Sequence, residues 1–264
     1  MLDLIGVRKV FNAGTINEKV ALDGIDFHLS EGDFVTVIGG NGAGKSTMLN
    51  AIAGVWPVDG GKILIDGQDV TGIPEYKRAA LIGRVFQDPM MGTAPDMQIV
   101  ENLALALRRG KRRTLSWGVT QKEKELFHEQ LASLGLGLEE RMTSKVGLLS
   151  GGQRQALTLL MAALTRPRLL LLDEHTAALD PATAAKVLEL SDRIVAENAL
   201  TAVMITHNMT DAIRHGNRLV MMNEGRIIFD VSGEEKEKLT KRDLMDKFAA
   251  LAGAGKESDR MALS

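Results

Sequence analysis

The sequence predicts an α/β fold built around a P-loop core, on three observations. The apolar run Phe34-Val35-Thr36-Val37-Ile38 leads into Gly39-Gly40-Asn41-Gly42-Ala43-Gly44-Lys45-Ser46 and then an apolar-periodic stretch, the order strand, glycine-rich loop, helix. A second apolar run, Leu169-Leu170-Leu171-Leu172, stops at Asp173-Glu174, as a parallel strand buried on both faces does when it ends at the ligand edge of a sheet. Between the two runs the pattern becomes helical, over Val100 to Arg109 and Gln121 to Leu134.

The remaining elements follow in order. Leu2 to Val10 and Ile25 to Leu29 read as short strands about the polar turn Asn12 to Thr15. Lys45 to Ala53 reads as a helix, with Met48, Leu49 and Ile52 at core-facing spacing and Gly54 and Pro57 ending it. Lys62 to Ile65 with Asp66-Gly67 is a strand and turn, and Gly83 to Phe86 a further strand that stops at a Pro-containing loop. Met90 to Pro95 looks like a flexible joint. Helices are expected over Gln155 to Thr165 and Pro181 to Asn198, a buried strand over Thr201 to Thr206, and an amphipathic helix over Leu239 to Leu251.

With 264 residues, 45% of them hydrophobic and 25% charged, the chain can bury the core of one or two soluble domains. A formal net charge of -2 gives no general pull toward nucleic acid or anionic membranes. There are no cysteines, which excludes disulfides, thiolate metal sites and cysteine nucleophiles. The sequence shows no apolar run near the ~20 residues needed to span a bilayer, so a cytoplasmic protein is expected, held at the membrane through a partner.

The chemistry-bearing residues lie at the ends of these elements. In a P-loop, backbone N–H groups and the helix N-terminus cradle phosphates, Lys45 reaches the β- and γ-phosphates, and the Ser46 hydroxyl ligates Mg²⁺. Asp173 can hold Mg²⁺ through its water shell, and Glu174 can orient or deprotonate an attacking water. Gln87 can ligate Mg²⁺ or orient water, or be a solvated loop residue. His207 can touch a γ-phosphate, or cap the following helix. Phe11 can stack on a purine, or pack in the core. Leu149-Ser150-Gly151-Gly152-Gln153 gives a second glycine-rich helix start suited to anions, which is informative if it serves a nucleotide held by another copy. The basic cluster Arg108 to Arg113 reads as a solvated loop or as a contact with an acidic partner or lipid headgroups.

This ordered set resembles the ATP-binding subunit of an ABC transporter over about residues 2 to 230. The matching motifs are the P-loop with Thr47, a Q-loop at Gln87, the signature Leu149 to Gln153, and a Walker B strand ending Asp173-Glu174. A D-loop at Ala178-Leu179-Asp180 and a switch histidine, His207, complete the set. The resemblance implies a P-loop NTPase (RecA-like) core with an antiparallel β subdomain and an α-helical subdomain inserted over residues 93–153, within one cassette, residues 1–230; residues 231–264 are left as a short tail. It implies that Phe11 stacks on adenine, and that Gly39, Asn41, Gly42, Ala43, Gly44, Lys45, Ser46 and Thr47 hold the phosphates. Ser150, Gly151, Gly152, Gln153 and Asp180 would then face MgATP bound by the opposite protomer of a head-to-tail homodimer. Glu174, Lys45, Gln87 and His207 would carry hydrolysis, with Mg²⁺ held by Ser46, Gln87 and Asp173.

The implied partners are transmembrane permease subunits and, for an uptake system, an extracytoplasmic solute-binding protein; nucleic acid is not among them. The alternative is a soluble ATPase of the same family that powers translation or DNA repair. One departure from the family pattern is His175, where most relatives carry proline. That wording resembles an uptake subgroup for amino acids of the tryptophan or tyrosine type. His175 reads as a substituted loop residue or as a titratable neighbour of Glu174.

Overall fold

A computed structural model describes residues 1–111 and 118–251. In chain order the first elements are β1 (Leu2–Phe11), β2 (Lys19–Leu29), β3 (Phe34–Gly39), α1 (Lys45–Ala53), β4 (Gly60–Ile65), β5 (Gln68–Asp69) and α2 (Glu75–Arg78). Next come β6 (Ile82–Val85), α3 (Ile99–Leu107), α4 (Gln121–Ala132), α5 (Gly151–Ala163), β7 (Leu169–Asp173) and α6 (Pro181–Glu197). The last are β8 (Thr201–Ile205), α7 (Met209–Arg214), β9 (Arg218–Asn223), β10 (Arg226–Ser232), α8 (Gly233–Glu237) and α9 (Lys241–Leu251). The chain divides into two units, residues 1–78 with the segment from Leu200 onward, and residues 79–199.

In the first unit β1 pairs antiparallel with β2 and β4, and β5 lies at the edge. The strand expected from Ile25 starts six residues earlier, because Val20 and Leu22 continue the pairing to Val10 and Lys9 despite register shifts along β1. The other sheet of this unit runs parallel from β8 through β3 to β9, with β10 antiparallel to β9. Every residue of β3 and β8 is buried, which explains their unbroken apolar reading.

Two parts of this unit were not legible locally. Arg78 is buried, and its guanidinium donates to the carbonyls of Ala51 and Ile52 at the end of α1 and to those of Thr71 and Ile73. It adds donors to carbonyls at the last turn of the helix, where the backbone cannot supply them all, although burial pushes its pKa down. The C-terminal helix α9 sinks Leu244 into a cluster with Ile38, Met209, Leu219, Met221 and Val231, so this part of the tail completes a core.

In the second unit β6 and β7 are parallel neighbours, with Val85 opposite Leu172. Asn102 of α3 accepts from Ala94 N and donates to Ala94 O, and Asp88 accepts from Met90 N. The stretch expected to be a flexible joint is therefore a series of bonded turns tied to a helix, as an Asn amide with both donor and acceptor allows. The basic cluster is likewise not simply solvated over its described part. Arg108 pairs with Glu123 at 2.9 Å, and Arg109, its pKa pushed down by burial, donates to Met161 O at 2.8 Å. Arg112 and Arg113 lie outside the described residues.

Thr120 and Glu123 form a reciprocal capping box at the start of α4. The Thr120 amide, then its hydroxyl and the Arg108 charge, hold the Glu123 carboxyl below the usual range. A depressed folded pKa contributes stability above the ordinary value of about 4.3, and that contribution is lost as pH falls through the folded value. Glu123→Gln is expected to cost about 0.5–1 kcal/mol and lower Tm by about 1–4 °C at neutral pH. In thermal melts the gap between the two proteins should close below about pH 4.

Candidate active site

The first unit builds a phosphate cradle from the end of β3. Gly39 has φ 153°, and a Cβ there would stand 2.2 Å from Met222 O, so only glycine lets the loop leave the sheet along this path. The loop ends at Gly44, which supplies no side-chain cap to α1, and no acidic residue lies in the first helical turn. A helix start with neither a side-chain cap nor an acidic residue suits an anion, through its N–H groups and the positive end of the helix dipole.

Lys45 is buried, and its Nζ donates to Gly39 O at 2.8 Å and Gly40 O at 3.1 Å. Asn41 and Ser46 are exposed on the loop and the first turn, and Thr47 is half-buried. The cradle, the lysine and an exposed hydroxyl fit a nucleotide phosphate with Mg²⁺.

The same unit brings His207 to this edge. Because β8 lies parallel to β3, with Ile205 opposite Val37, the chain leaves β8 at the end where β3 enters its loop. His207 stands between Thr206 and Asn208; Thr206 Oγ1 accepts from Asn208 N, and Asn208 caps α7. Phe11 is half-buried at the end of β1, edge-on to Trp56 with ring centroids 5.0 Å apart. One neighbour of the cradle escaped the sequence reading. Lys19 Nζ lies 2.9 Å from where a Gly42 Cβ would stand, and nothing in the local pattern of β2 marks it.

The second unit carries the carboxylates and the signature. Parallel pairing of β6 and β7 makes the strands end together, so Gln87, exposed, and Asp173-Glu174 leave the sheet at one end. Arg84 Nη2 lies 3.4 Å from Asp173 Oδ2, and its guanidinium stacks 4.6 Å from the Phe86 ring centroid. Glu174 adopts a left-handed backbone, φ 47°, and its carbonyl accepts from Ala177 N. His175 lies in the turn after β7, as its reading as a loop residue has it, and it is 2% exposed, with Nε2 2.9 Å from Ser191 Oγ of α6.

The signature is the N-terminus of α5, which starts at Gly151, four residues before the helical run from Gln155. Two glycines resist a helical reading, yet at the first helical positions their cost is offset by a capping box. Ser150 Oγ accepts from Gln153 N and Gln153 Oε1 accepts from Ser150 N. A Cβ on Gly152 would meet Thr183 Cγ2 at 2.3 Å, so the signature glycine also lets α5 approach the start of α6. There Asp180 accepts from Thr183 N, and bonds from the Thr183 hydroxyl and amide hold its carboxyl below the usual range.

Two further residues position this end. Arg154 donates to Gly147 O and Leu149 O, and the buried Gln155 donates to Phe86 O, the residue before Gln87. Both partners are distant or irregular in sequence, so no periodicity reveals them.

Residues 22–177 match the family model described as ABC transporter. The chain is 45% identical over 234 residues to the tyrosine transport ATP-binding protein of Clostridioides difficile (strain R20291), covering 89% of this chain and 91% of that one. It is 36% identical to the lipoprotein-releasing system ATP-binding protein LolD of Ruegeria sp. (strain TM1040), covering 86% and 97% of the two chains. The dimeric post-hydrolysis structure of the ATP-binding cassette MJ0796, bound to ADP and Pi, superposes with a TM-score of 0.75 at 29% identity, covering 88% of this chain and 98% of that one. The chain therefore belongs to the ABC transporter family as an ATP-binding subunit, an ATPase that works on ATP with Mg²⁺.

Proposed function

We propose that two copies of this chain bind two MgATP head to tail and drive permease subunits that import an amino acid of the tyrosine class. The observation that supports the paired arrangement is that one chain carries two helix starts suited to phosphate, at Lys45 and at Gly151. A cassette with its own complete cradle has a use for the second when it closes over a partner's nucleotide. The dimeric relative supports the pairing, and the tyrosine transport relative supports the cargo class. Among the described residues no helix is long and apolar enough to cross a membrane, so work at the inner face of the membrane is assigned to the permease contact.

The residues divide the work. Phe11 stacks on adenine; the loop from Gly39 to Thr47 binds the phosphates, with Lys45 on the β- and γ-oxygens. Ser46, Asp173 and Gln87 offer oxygens for Mg²⁺, which when bound neutralises charge developing on the phosphate oxygens. Glu174 takes a proton from water as its oxygen attacks the γ-phosphorus, and the bond to the β-phosphate oxygen breaks to leave ADP and phosphate. His207 faces the γ-phosphate, and Ser150, Gly151, Gly152, Gln153 and Asp180 close the partner's site against water, where fixed donors stabilise most. Gln87, at the foot of the helical unit, passes nucleotide state to that unit.

A mixing experiment tests the paired site. Lys45→Ala and Ser150→Ala chains should each be inactive alone, and a mixture should recover phosphate release, since one composite site then has an intact P-loop from one copy and an intact signature from the other. A mixture that stays inactive places signature and P-loop in the same protomer's site.

A further inference from the structure

We infer that His175 is a positioning residue for Glu174, acting through its buried hydrogen bond to Ser191. The inference rests on Glu174 being the group that handles the attacking water.

The backbone at Glu174 is unusual where it matters. β7 holds the chain as far as Asp173, and the next residue turns with φ 47°, a left-handed conformation that a glutamate adopts at a cost. Such a conformation persists only where its surroundings over-determine it, and it fixes the direction in which the carboxylate leaves the chain. One restraint is the turn bond from Ala177 N to Glu174 O at 3.0 Å. Another is the next side chain, His175, which is buried and reaches across to the middle of α6.

The direction of that bond follows from counting protons. Ser191 is fully buried, and its Oγ lies 2.8 Å from Val187 O, which can only accept. The single hydroxyl proton therefore goes to Val187, Oγ presents a lone pair to the imidazole, and His175 Nε2 carries a hydrogen and donates it. This selects the tautomer and the ring orientation together.

α6 is in turn a firm anchor. Pro181 occupies its first turn, Asp180 caps it, and α5 packs along it. The strand that aims Asp173 and the helix that follows are thus joined by a strap one residue beyond the catalytic carboxylate.

The full-length chain and its variants Ser191→Ala, Ser191→Thr, His175→Ala, His175→Gln and Glu174→Gln test the inference through phosphate-release kinetics and titration with a fluorescent ATP analogue. A loosened carboxylate should lower kcat by about 10- to 100-fold for Ser191→Ala and His175→Ala, in line with the sensitivity of catalysis to misplacements near 1 Å. KM for ATP and analogue affinity should stay within about twofold, since the cradle is untouched. A chain carrying both Ser191→Ala and His175→Ala should be no slower than the worse of the two alone. Ser191→Thr and His175→Gln, which keep the acceptor and an N–H donor, should recover much of the rate.

Ser191→Ala turning over at the parental rate, or a loss confined to KM, overturns the inference. Ser191→Ala keeps the imidazole and carries the test if His175→Ala does not fold. A fully active Glu174→Gln overturns the reading of Glu174 itself. An inactive Glu174→Gln beside fully active Ser191 and His175 variants overturns only the positioning role.

Discussion

Glu174→Gln is expected to bind MgATP with near-parental affinity and to lose turnover by about 10²- to 10⁴-fold, the share that general-base catalysis commonly supplies. The amide matches the carboxylate in size and can occupy the same left-handed turn, so the change removes proton acceptance and little else. Binding should be spared because Lys45 keeps its bonds to the Gly39 and Gly40 carbonyls in the variant. Chemistry should stall after association, and the variant should accumulate as an ATP-bound dimer on size-exclusion chromatography. Phosphate release by that variant at the parental rate would mean that another group activates the water.

The largest effect on stability is expected from Phe127→Ala. Phe127 is the bulkiest fully buried side chain described, on α4, which packs on α3 and on the short turn at Glu139–Arg141. Removing a buried phenylalanine costs about 3–5 kcal/mol through lost transfer and the cavity left behind. At about 2–4 °C per kcal/mol for chains of this size, Tm should fall by about 10 °C. The change lies in residues 79–199, whereas the cradle lies in the other unit. Below the melting temperature, analogue binding should thus survive where turnover, which needs the signature on α5, declines. Equal loss of binding and turnover, or an unchanged Tm, would show that the helical core is not an independent support.

What the sequence disclosed and what it hid divide along a physical line. Chemistry encoded in contiguous residues was readable: β3 with its loop and α1, and β7 with Asp173-Glu174, fall within a residue or two of expectation. Features that depend on distant partners were not. Arg78 and Arg109 look like surface charge until the distant carbonyls among their partners, those of Ala51 and Ile52 for Arg78 and of Met161 for Arg109, are known. His175 looks like a loop substituent because its acceptor lies sixteen residues on. Leu149 to Gln153 reads as a helix start, and the helix indeed begins there at Gly151, four residues before the helical run from Gln155, because Ser150 and Gln153 cap each other across its first turn. Burial of Leu244 in α9 had no local signal, since an amphipathic stripe does not name the surface it covers.

The two carbonyl contacts of Lys45 carry a kinetic consequence. A four-carbon stem surrenders much of its rotamer freedom when it is pinned, and here that surrender accompanies folding of the loop instead of the arrival of a ligand. An incoming triphosphate meets a cation already in place, so the ordering penalty of capture is smaller than for a lysine that must be recruited from solvent. Association of nucleotide should therefore resemble docking on a rigid receptor, leaving slower rearrangements to the steps that follow.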